Sequence, residues 1–314
     1  MPTELAVIIL NYRTPDLTIG CLGSLAGEAA PGIQVVIVDN ASGDDSVPRI
    51  REAMAANGWS SWAQLIESPV NGGFAAGNNV GIRSVEAFAY LLLNSDTLVR
   101  PGVLRELMDA LRAHPEAGAI GSGLLDADGK PERAAFRVIS PITELLRGAN
   151  LGPLTRLLHR FAVVPPPSDS PCEAEWVAFA CVLVRAEAIR QIGLLDEGFF
   201  MYFEDVDYCR RIREARWKVL TWPKALVVHL SGGSSRVSSA DAARRRAPRY
   251  FYEARARYFG KHYGRLGLWT ANVLWHLGQL LAWLGILRGR APARREREAT
   301  DIWTKALDPL RTRS

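Results

Sequence analysis

Apolar residues run in short unbroken blocks through the first third of the chain, at Leu5–Leu10, Ile33–Val38, Tyr90–Leu93 and Gly118–Ile120. Blocks of that length, bounded by polar residues, predict buried strands. Between them the apolar positions recur every three or four residues over Leu17–Leu25, Val47–Asn57, Asn78–Ala87 and Val103–Ala113, which predicts helices. Buried strands alternating with helices predict an α/β domain whose mostly parallel sheet is covered on both faces. The pattern is less regular from Arg133 to Cys172, where Pro165-Pro166-Pro167 marks a loop. The run WVAFACVLV within Glu175–Arg185 then predicts a returning strand. Leu220–Trp222 and Leu226–Val228 predict two short strands, the second followed by His229.

In a parallel α/β sheet, ligands bind beyond the carboxyl ends of the strands. Polar residues stand at those ends: Asn11 after the first strand, Asp39 and Asn40 after the second, Asn94, Ser95 and Asp96 after Tyr90–Leu93. Asp39 is either a turn former, given the Ala-Ser-Gly nearby, or an acceptor for the N3–H of uracil or thymine. The segment Asn71–Arg83 carries Gly72, Gly73, Gly77 and Gly81, with Asn78 and Asn79 as a helix cap and Arg83 as a cation. Such a segment can cradle a phosphate. It matches neither G-x-G-x-x-G nor a glycine-rich loop ending in Gly-Lys-Ser/Thr. Asp96 suits Mg2+ or Mn2+ when diphosphate oxygens and waters complete the shell. His229 is either a structural histidine or a second ligand to that ion, in which case Mn2+ is favoured.

Gly193–Arg211, GLLDEGFFMYFEDVDYCRR, sets an aromatic run directly before three carboxylates. Asp205, Tyr208 and Ile212 keep helical spacing, so Glu204 and Asp205 open a helix, whose N-terminus stabilises negative charge. The bland explanation is an acidic first turn. The chemical one is a base against a partly apolar wall, with Asp205 and Glu204 as catalytic candidates.

The net charge of +5 conceals an asymmetry. Beyond about residue 230 the chain turns basic, with Arg244, Arg245, Arg246, Arg249, Arg255, Arg257, Lys261 and Arg265, then Arg288, Arg290, Arg294, Arg295 and Arg297. This helical, basic C-terminal extension, residues 236–314, is expected to seek anions. Leu266–Leu287 contains no charged residue, and Asn272, His276 and Gln279 share one helical face. The expectation is an amphipathic helix lying on an anionic membrane surface, with Trp269, Trp275 and Trp283 at headgroup depth. Packing on the protein's own core and spanning the bilayer are the alternatives. The start, MPTELAVIILNY, lacks a basic n-region, and four cysteines form no CxxC pair, so the expected compartment is the cytoplasm.

Taken together, VIILNY, VDNASGD, NGGFAAGNN, LLLNSD and EDVDYCRR, followed by a strand ending in His229, resemble the family 2 glycosyltransferases. The resemblance covers about residues 4–235 and is nearest to bacterial rhamnosyltransferase-like members. It implies a GT-A fold, one nucleotide-sugar-binding domain over residues 1–235, and metal-dependent transfer with inversion. By position it implies that Asp39 contacts a pyrimidine, that Asp96 is the last acid of the Asp-x-Asp metal motif, that Asp205 is the base, and that His229 is a late metal ligand. Asn94 replaces the first acid of that motif. Phe179 stands where relatives often carry glycine, near the expected acceptor pocket.

The resulting expectation is a glycosyltransferase using dTDP-L-rhamnose or a UDP-sugar. The donor would be held by Asn11, Asp39, Asn40, Asn78, Arg83, Asn94, Ser95 and Asp96. The acceptor would be a glycan or a polyprenyl-linked sugar in cell-envelope synthesis, and the enzyme a peripheral protein on the inner face of the membrane, with a homodimer compatible. A metal-dependent nucleotidyltransferase is the enzymatic rival, although VIILNYRTPD lacks the glycines it needs. A polyanion-binding protein is the other rival. It leaves Asp39, Asp96 and Asp205 unexplained, and nucleic acid is not an expected partner.

Overall fold

The computed structural model describes residues 3–165, 168–230, 245–286 and 295–311, with 284–286 as backbone alone. Its first part runs β1 (Thr3–Asn11), α1 (Pro15–Leu25), β2 (Ile33–Asp39), α2 (Ser46–Ala56), β3 (Ala63–Glu67), α3 (Gly73–Ser84) and β4 (Ala87–Asn94). Next come β5 (Thr97–Val99), α4 (Val103–Ala113), β6 (Ala117–Leu125), β7 (Pro131–Glu132) and β8 (Ala135–Phe136), then α5 (Pro141–Ala149) and α6 (Gly152–Leu157). After them lie β9 (Cys172–Glu173), β10 (Trp176–Val177), β11 (Cys181–Arg185), α7 (Ala186–Ile192), α8 (Glu204–Glu214) and β12 (Lys218–His229). The helical stretch α9 (Arg249–Ile286) and the short α10 (Glu298–Asp301) follow. The chain divides into two compact units: Met1–Phe136, Pro166–Glu197 and Asp207–Ser234 form the first, and Arg137–Pro165, Gly198–Val206 and Ser235–Ser314 the second.

The first unit has the expected α/β architecture, but residues 137–165 and 198–206, counted in the expected domain of residues 1–235, fall in the second unit. Its main sheet has the order β3-β2-β1-β4-β11-β6-β12-β5. The pairs β3–β2, β2–β1, β1–β4 and β6–β12 are parallel, whereas β11 and β5 run antiparallel to their neighbours. Leu5 to Ile9 and Val35 to Val38 are at most 1% exposed, which is why these strands read as unbroken apolar runs. Helix α3 lies close on β1: a Cβ at Gly81 would come within 2.4 Å of Ile8 Cγ2. Ile8 is β-branched and fully buried, so it has little room to yield. Gly81 therefore serves helix-on-strand packing rather than a phosphate.

Several expected elements shift. Helix α3 starts at Gly73, five residues before Asn78, so Asn78 and Asn79 lie inside it and do not cap it. The run Glu175–Arg185 breaks into β10 and β11. The two short strands around Leu220 and Leu226 are one strand, β12, with a register shift between Trp222 and Leu226. Strand β3, AQLIE, was not anticipated, because only Ala63 in it is buried. Phe179 is 4% exposed and packs edge-on to Tyr208, which makes it a core residue of this unit.

The second unit is helical. Helix α5 crosses α9 so closely that a Cβ on Gly278 would meet the Leu145 carbonyl oxygen at 2.4 Å. Helix α9 is interrupted at Gly264, whose φ of 68° and ψ of 178° are not helical. The polar stripe of its second half faces inward. Asn272 is fully buried and accepts from Arg255 Nη1 at 2.7 Å, and Gln279 donates to the Gly148 carbonyl at 2.7 Å. His276 Nε2 lies 3.1 Å from Trp303 Nε1, which donates to it. The expectation that this stripe faces water or headgroups is thus reversed, and the core-packing alternative describes the polar side. No described helix is long and apolar enough to cross a membrane.

The basic tail is also less available than its count implies. Arg255 is 1% exposed and donates to Glu144, whose own burial is outweighed by Arg147 and Arg255, holding its pKa down at about 2. Arg246 is paired with Asp301 and Arg249 with Glu253. Of the other predicted positions, Arg244, Leu287, Arg288, Arg290 and Arg294 lie outside the described residues.

Candidate active site

The carboxyl ends of β1, β2 and β4 meet in register, with Asn11 opposite Asp39 and Leu10 opposite Asn94. Asn11 Nδ2 donates to Asp39 Oδ1 at 2.7 Å, and Ser42 Oγ donates to the same oxygen at 2.6 Å. The Ser42 backbone N–H, three residues on, donates to Asp39 Oδ2 at 3.0 Å and holds the turn after the strand. Thr18 Oγ1 donates to Asn11 Oδ1 at 2.8 Å. Asn11, Thr18, Asp39 and Ser42 are all at most 3% exposed, so this is a buried polar network whose members satisfy one another. A carboxylate oxygen has more than one lone pair, so Asp39 Oδ2 retains capacity to accept from a ligand. Asp39 thus holds the turn after β2 and keeps an acceptor position on Oδ2.

Asn40 works one layer out. It accepts from the Gly72 N–H at 3.3 Å and donates to Asn71 Oδ1 at 2.9 Å and to the Gly73 carbonyl at 3.1 Å. It therefore stitches the start of α3 to the end of β2. Ser95 Oγ lies 3.4 Å from Thr14 Oγ1, and Asn94 is half-buried at the end of β4.

Asp96 sits in the turn between β4 and β5 and is 1% exposed. Strand β12 delivers His229 to it: His229 pairs in register with Thr97, and the Leu230 N–H donates to the Asp96 carbonyl at 2.8 Å. His229 Nε2 lies 3.5 Å from Asp96 Oδ1, and His229 Nδ1 lies 3.1 Å from Glu132 Oε2 on β7. Burial opposes protonation of His229, but hydrogen bonding and charge from Asp96, then from Glu132, outweigh it and raise its pKa. The sequence-based pairing of Asp96 with His229 thus holds in space. Among the described residues no group of three or more His, Cys, Asp or Glu forms a metal cluster. What exists is a two-donor set, one carboxylate and one imidazole, with a further carboxylate on the far ring nitrogen. That is the usual outer-shell arrangement for a metal-binding histidine, so the residues present fit a divalent ion whose remaining ligands come from elsewhere.

Two predicted donor residues are placed differently. Arg83 lies in the last turn of α3, about 15 Å along the helix axis from its start, at the amino edge of the sheet near the start of β4. It pairs with Glu197 at 2.9 Å. Asn78 is buried and spends an amide hydrogen on the Phe74 carbonyl at 2.9 Å. Neighbouring Asn79 has the more informative contacts: it donates to the Leu195 carbonyl at 2.9 Å and accepts from the Leu195 N–H at 3.1 Å. Arg211, held by Asp207 at 3.0 Å, donates to the Ile192 and Leu194 carbonyls. Both residues pin the segment that precedes the acidic helix, so the third carboxylate of EDVD is structural.

The other catalytic candidates, Glu204 and Asp205, open α8 as expected and belong with the second unit. Before them, Tyr202 and Phe203 both take left-handed backbone, with φ of 72° and 66°. Aromatic residues rarely accept that conformation, and surrounding contacts must enforce it. Tyr202 stacks on Tyr250 at an interplanar angle of 10°, and Phe203 packs against Phe251 and Tyr258. Glu204 is 7% exposed. Asp205 is half-buried. Burial pushes its pKa up to about 6, against the lowering effect of the Val206 N–H, which donates to Oδ1 at 2.8 Å. A carboxylate with a pKa in that range is a serviceable general base near neutrality.

Glu132, Ser42 and the left-handed Tyr202-Phe203 pair were not anticipated. Glu132 lies 97 positions from His229, and no local spacing announces such a partner. Ser42 carried a signal, since Asp39-Asn40-Ala41-Ser42 is turn composition.

The raised Asp205 pKa has a consequence for stability. An acid whose folded pKa of about 6 exceeds its unfolded value of 3.8 destabilises the fold as pH rises through that window, and the penalty persists above it. Asp205→Asn removes the penalty. The variant is expected to melt at a higher temperature than the parent at pH 8 and at the same temperature at pH 3.5, as followed by circular dichroism. Equal melting at both pH values would show that the carboxyl group is not desolvated.

Comparison with known proteins gives the family and the fold. The model of the family described as glycosyltransferase like family 2 matches residues 2–252. The N-acetylglucosaminyl-diphospho-decaprenol L-rhamnosyltransferase of Mycobacterium tuberculosis (strain CDC 1551 / Oshkosh) is 28% identical over 318 residues, covering 95% of this chain and 96% of that protein. The low-salt glycan biosynthesis hexosyltransferase Agl10 of Haloferax volcanii is 26% identical, covering 68% of this chain and 62% of that protein. Among solved structures, the mannosyltransferase PcManGT from Pyrobaculum calidifontis, in complex with GDP-Man and Mn2+, superposes with a TM-score of 0.59 at 16% identity, covering 99% of this chain and 81% of that one. GalNAc-T7 with UDP, GalNAc and Mn2+ gives a TM-score of 0.59 at 14% identity, covering 96% and 58%. These likenesses show the GT-A fold. The family match sets aside both the nucleotidyltransferase and the polyanion-binding alternatives: this chain belongs to the family 2-like glycosyltransferases.

Proposed function

We propose that this chain transfers a sugar, with inversion, from a pyrimidine-diphosphate donor to a lipid-linked acceptor in cell-envelope glycan synthesis. L-Rhamnose from dTDP-L-rhamnose is the first candidate, supported by the rhamnosyltransferase that matches over nearly the full length of both chains. That relative's name specifies an acceptor of the N-acetylglucosaminyl-diphospho-decaprenol kind. An acceptor of that kind is embedded in lipid, so the enzyme would work at the cytoplasmic face of a membrane.

The observation that carries the proposal is the line Asp96–His229–Glu132 beside the Asn11–Asp39 network, all at one edge of a parallel sheet. Asp39, fixed by Asn11 and Ser42, would accept the N3–H of the pyrimidine through Oδ2. Asp96 and His229 would hold a divalent cation, with Mn2+ favoured by the imidazole and supported by its presence in neighbouring structures of this fold. Bound there, such an ion neutralises charge on the departing diphosphate. Glu132 would accept a hydrogen from His229 Nδ1 and so leave Nε2 as the lone-pair donor. Asp205 would take the proton from the acceptor hydroxyl. The acceptor oxygen then bonds to the anomeric carbon as the bond from that carbon to diphosphate breaks, its electron pair leaving with the diphosphate.

Two sets of variants test the two halves. A nucleoside diphosphate that binds only the folded state raises the melting temperature. dTDP or UDP should do so more strongly with Mn2+ than without it. Asp96→Ala should abolish the Mn2+-dependent part while the ligand-free protein melts normally, and Glu132→Gln should weaken the effective affinity about 10- to 100-fold, the usual range for outer-shell partners. A full Mn2+-dependent shift in Asp96→Ala would remove Asp96 from the metal site. For the acceptor half, Asp205→Asn should lower turnover about 100-fold or more, as for loss of a general base, with the nucleotide shift intact. Near-parental turnover in Asp205→Asn would contradict the assignment.

A further inference from the structure

Beyond Gly264, helix α9 turns polar residues inward and large apolar residues outward. Its polar residues Asn272, His276 and Gln279 are spent on Arg255, Trp303 and Gly148 within the second unit. Its outward face carries Leu266, Trp269, Val273, Leu277, Leu280 and Trp283, exposed by 83, 43, 57, 43, 52 and 58%. Their spacing of three and four residues puts them in one stripe, about 25 Å long at the helical rise. Isolated exposed apolar residues need no explanation, whereas a contiguous stripe marks an interaction surface.

We propose that this stripe is the surface by which the protein lies on an anionic lipid bilayer, with the helix axis in the plane of the interface. Charge complementarity selects a bilayer over a second copy of the chain. Exposed Arg265 stands directly before the stripe, and the sequence supplies Arg288, Arg290, Arg294 and Arg297 after it, whereas Arg295 is taken up over the Phe251 ring. Cations that flank an apolar segment in the sequence suit anionic headgroups around a hydrocarbon-facing stripe. Two copies packed through the same stripe would instead bring these like charges together. Trp269 and Trp283 place amphipathic rings at the depth such a helix occupies, whereas Trp275, expected there too, is 1% exposed and packs inside the second unit. The inward bonding of the polar stripe makes the orientation specific: the helix cannot turn its polar side to the headgroups without breaking the contacts of Asn272 and Gln279. The proposal deepens the lipid-linked-acceptor reading by naming the face that meets the lipid.

Flotation of the full-length chain with vesicles of phosphatidylcholine and phosphatidylglycerol tests it. The parent should float with these vesicles at low salt, and less so at high salt, because exposed charges are screened. The triple variant Leu266→Ser, Val273→Ser, Leu280→Ser should lose about tenfold or more in partitioning, given the apolar surface removed, while keeping its melting temperature and its Mn2+-dependent nucleotide shift. Leu266→Ser and Trp283→Ser, each alone, carry the same comparison with little demand on the fold, and each should lower the floated fraction. A parent that stays in the soluble fraction, or a triple variant that floats as well as the parent, would overturn the proposal. So would a dimer in sedimentation velocity that the triple variant abolishes in a parent that does not bind vesicles, since a second copy would then cover the stripe. Failure of the parent to bind any nucleoside diphosphate would count against the transferase mechanism and leave the flotation result standing.

Discussion

The site depends first on the parallel register of β1 with β2 and β4. That register puts Asn11 beside Asp39 and Leu10 beside Asn94. A slip of one residue would turn every side chain of β1 to the opposite face, taking Asn11 away from Asp39 and exchanging residues between two differently packed apolar layers. The register is protected by what surrounds it. Ile8 fits beneath Gly81 of α3, and the residues from Leu5 to Ile9 are sealed from solvent. An apolar core therefore fixes the position of a polar edge, and that edge contains hydrogen-bonded groups that would be costly to bury singly.

Desolvation acts in opposite senses on the two titratable groups assigned to the chemistry. At Asp205 it dominates and lifts the carboxyl pKa to about 6, which yields a base of useful strength. At His229 it opposes protonation but is overcome by Asp96 and Glu132. An imidazole between two carboxylates is a place prepared for positive charge, and a cation serves that purpose as well as a proton does. The strained backbone at Tyr202 and Phe203 belongs to the same economy, since the contacts with Tyr250, Phe251 and Tyr258 that enforce it also fix where α8 begins.

What could be read in the sequence was what is local. Asn11, Asp39 and Asp96 follow apolar runs directly, so their position at strand ends required only the strand assignment and the rule for parallel sheets. Asp205 was readable from helical spacing. Arg83 and Asn78 were misplaced by one error: the start of α3 was set five residues late, because its first turn, Gly73 to Ala76, lacks any capping side chain. Glu132 was unreadable because its partner is far away in sequence. The polar stripe of α9 was correctly seen as a stripe, but periodicity records only that two faces differ and not which one the protein covers. Arg255 decides that, a cation counted with the tail that in fact sits buried with Glu144 and Asn272.

Inverting transfer of a sugar from a pyrimidine-diphosphate donor leaves its signature in the product. Its most direct test is the anomeric configuration of the product, read by nuclear magnetic resonance after incubation of the full-length chain with dTDP-L-rhamnose, Mn2+ and a short-chain lipid diphosphate N-acetylglucosamine acceptor. Inversion yields a single glycosidic product whose anomeric configuration is opposite to that of the donor. A product that retains the donor configuration would contradict the single-displacement role of Asp205. Absence of transfer from dTDP- and UDP-sugars alike, with transfer from a purine-nucleotide sugar, would contradict the pyrimidine assignment of Asp39.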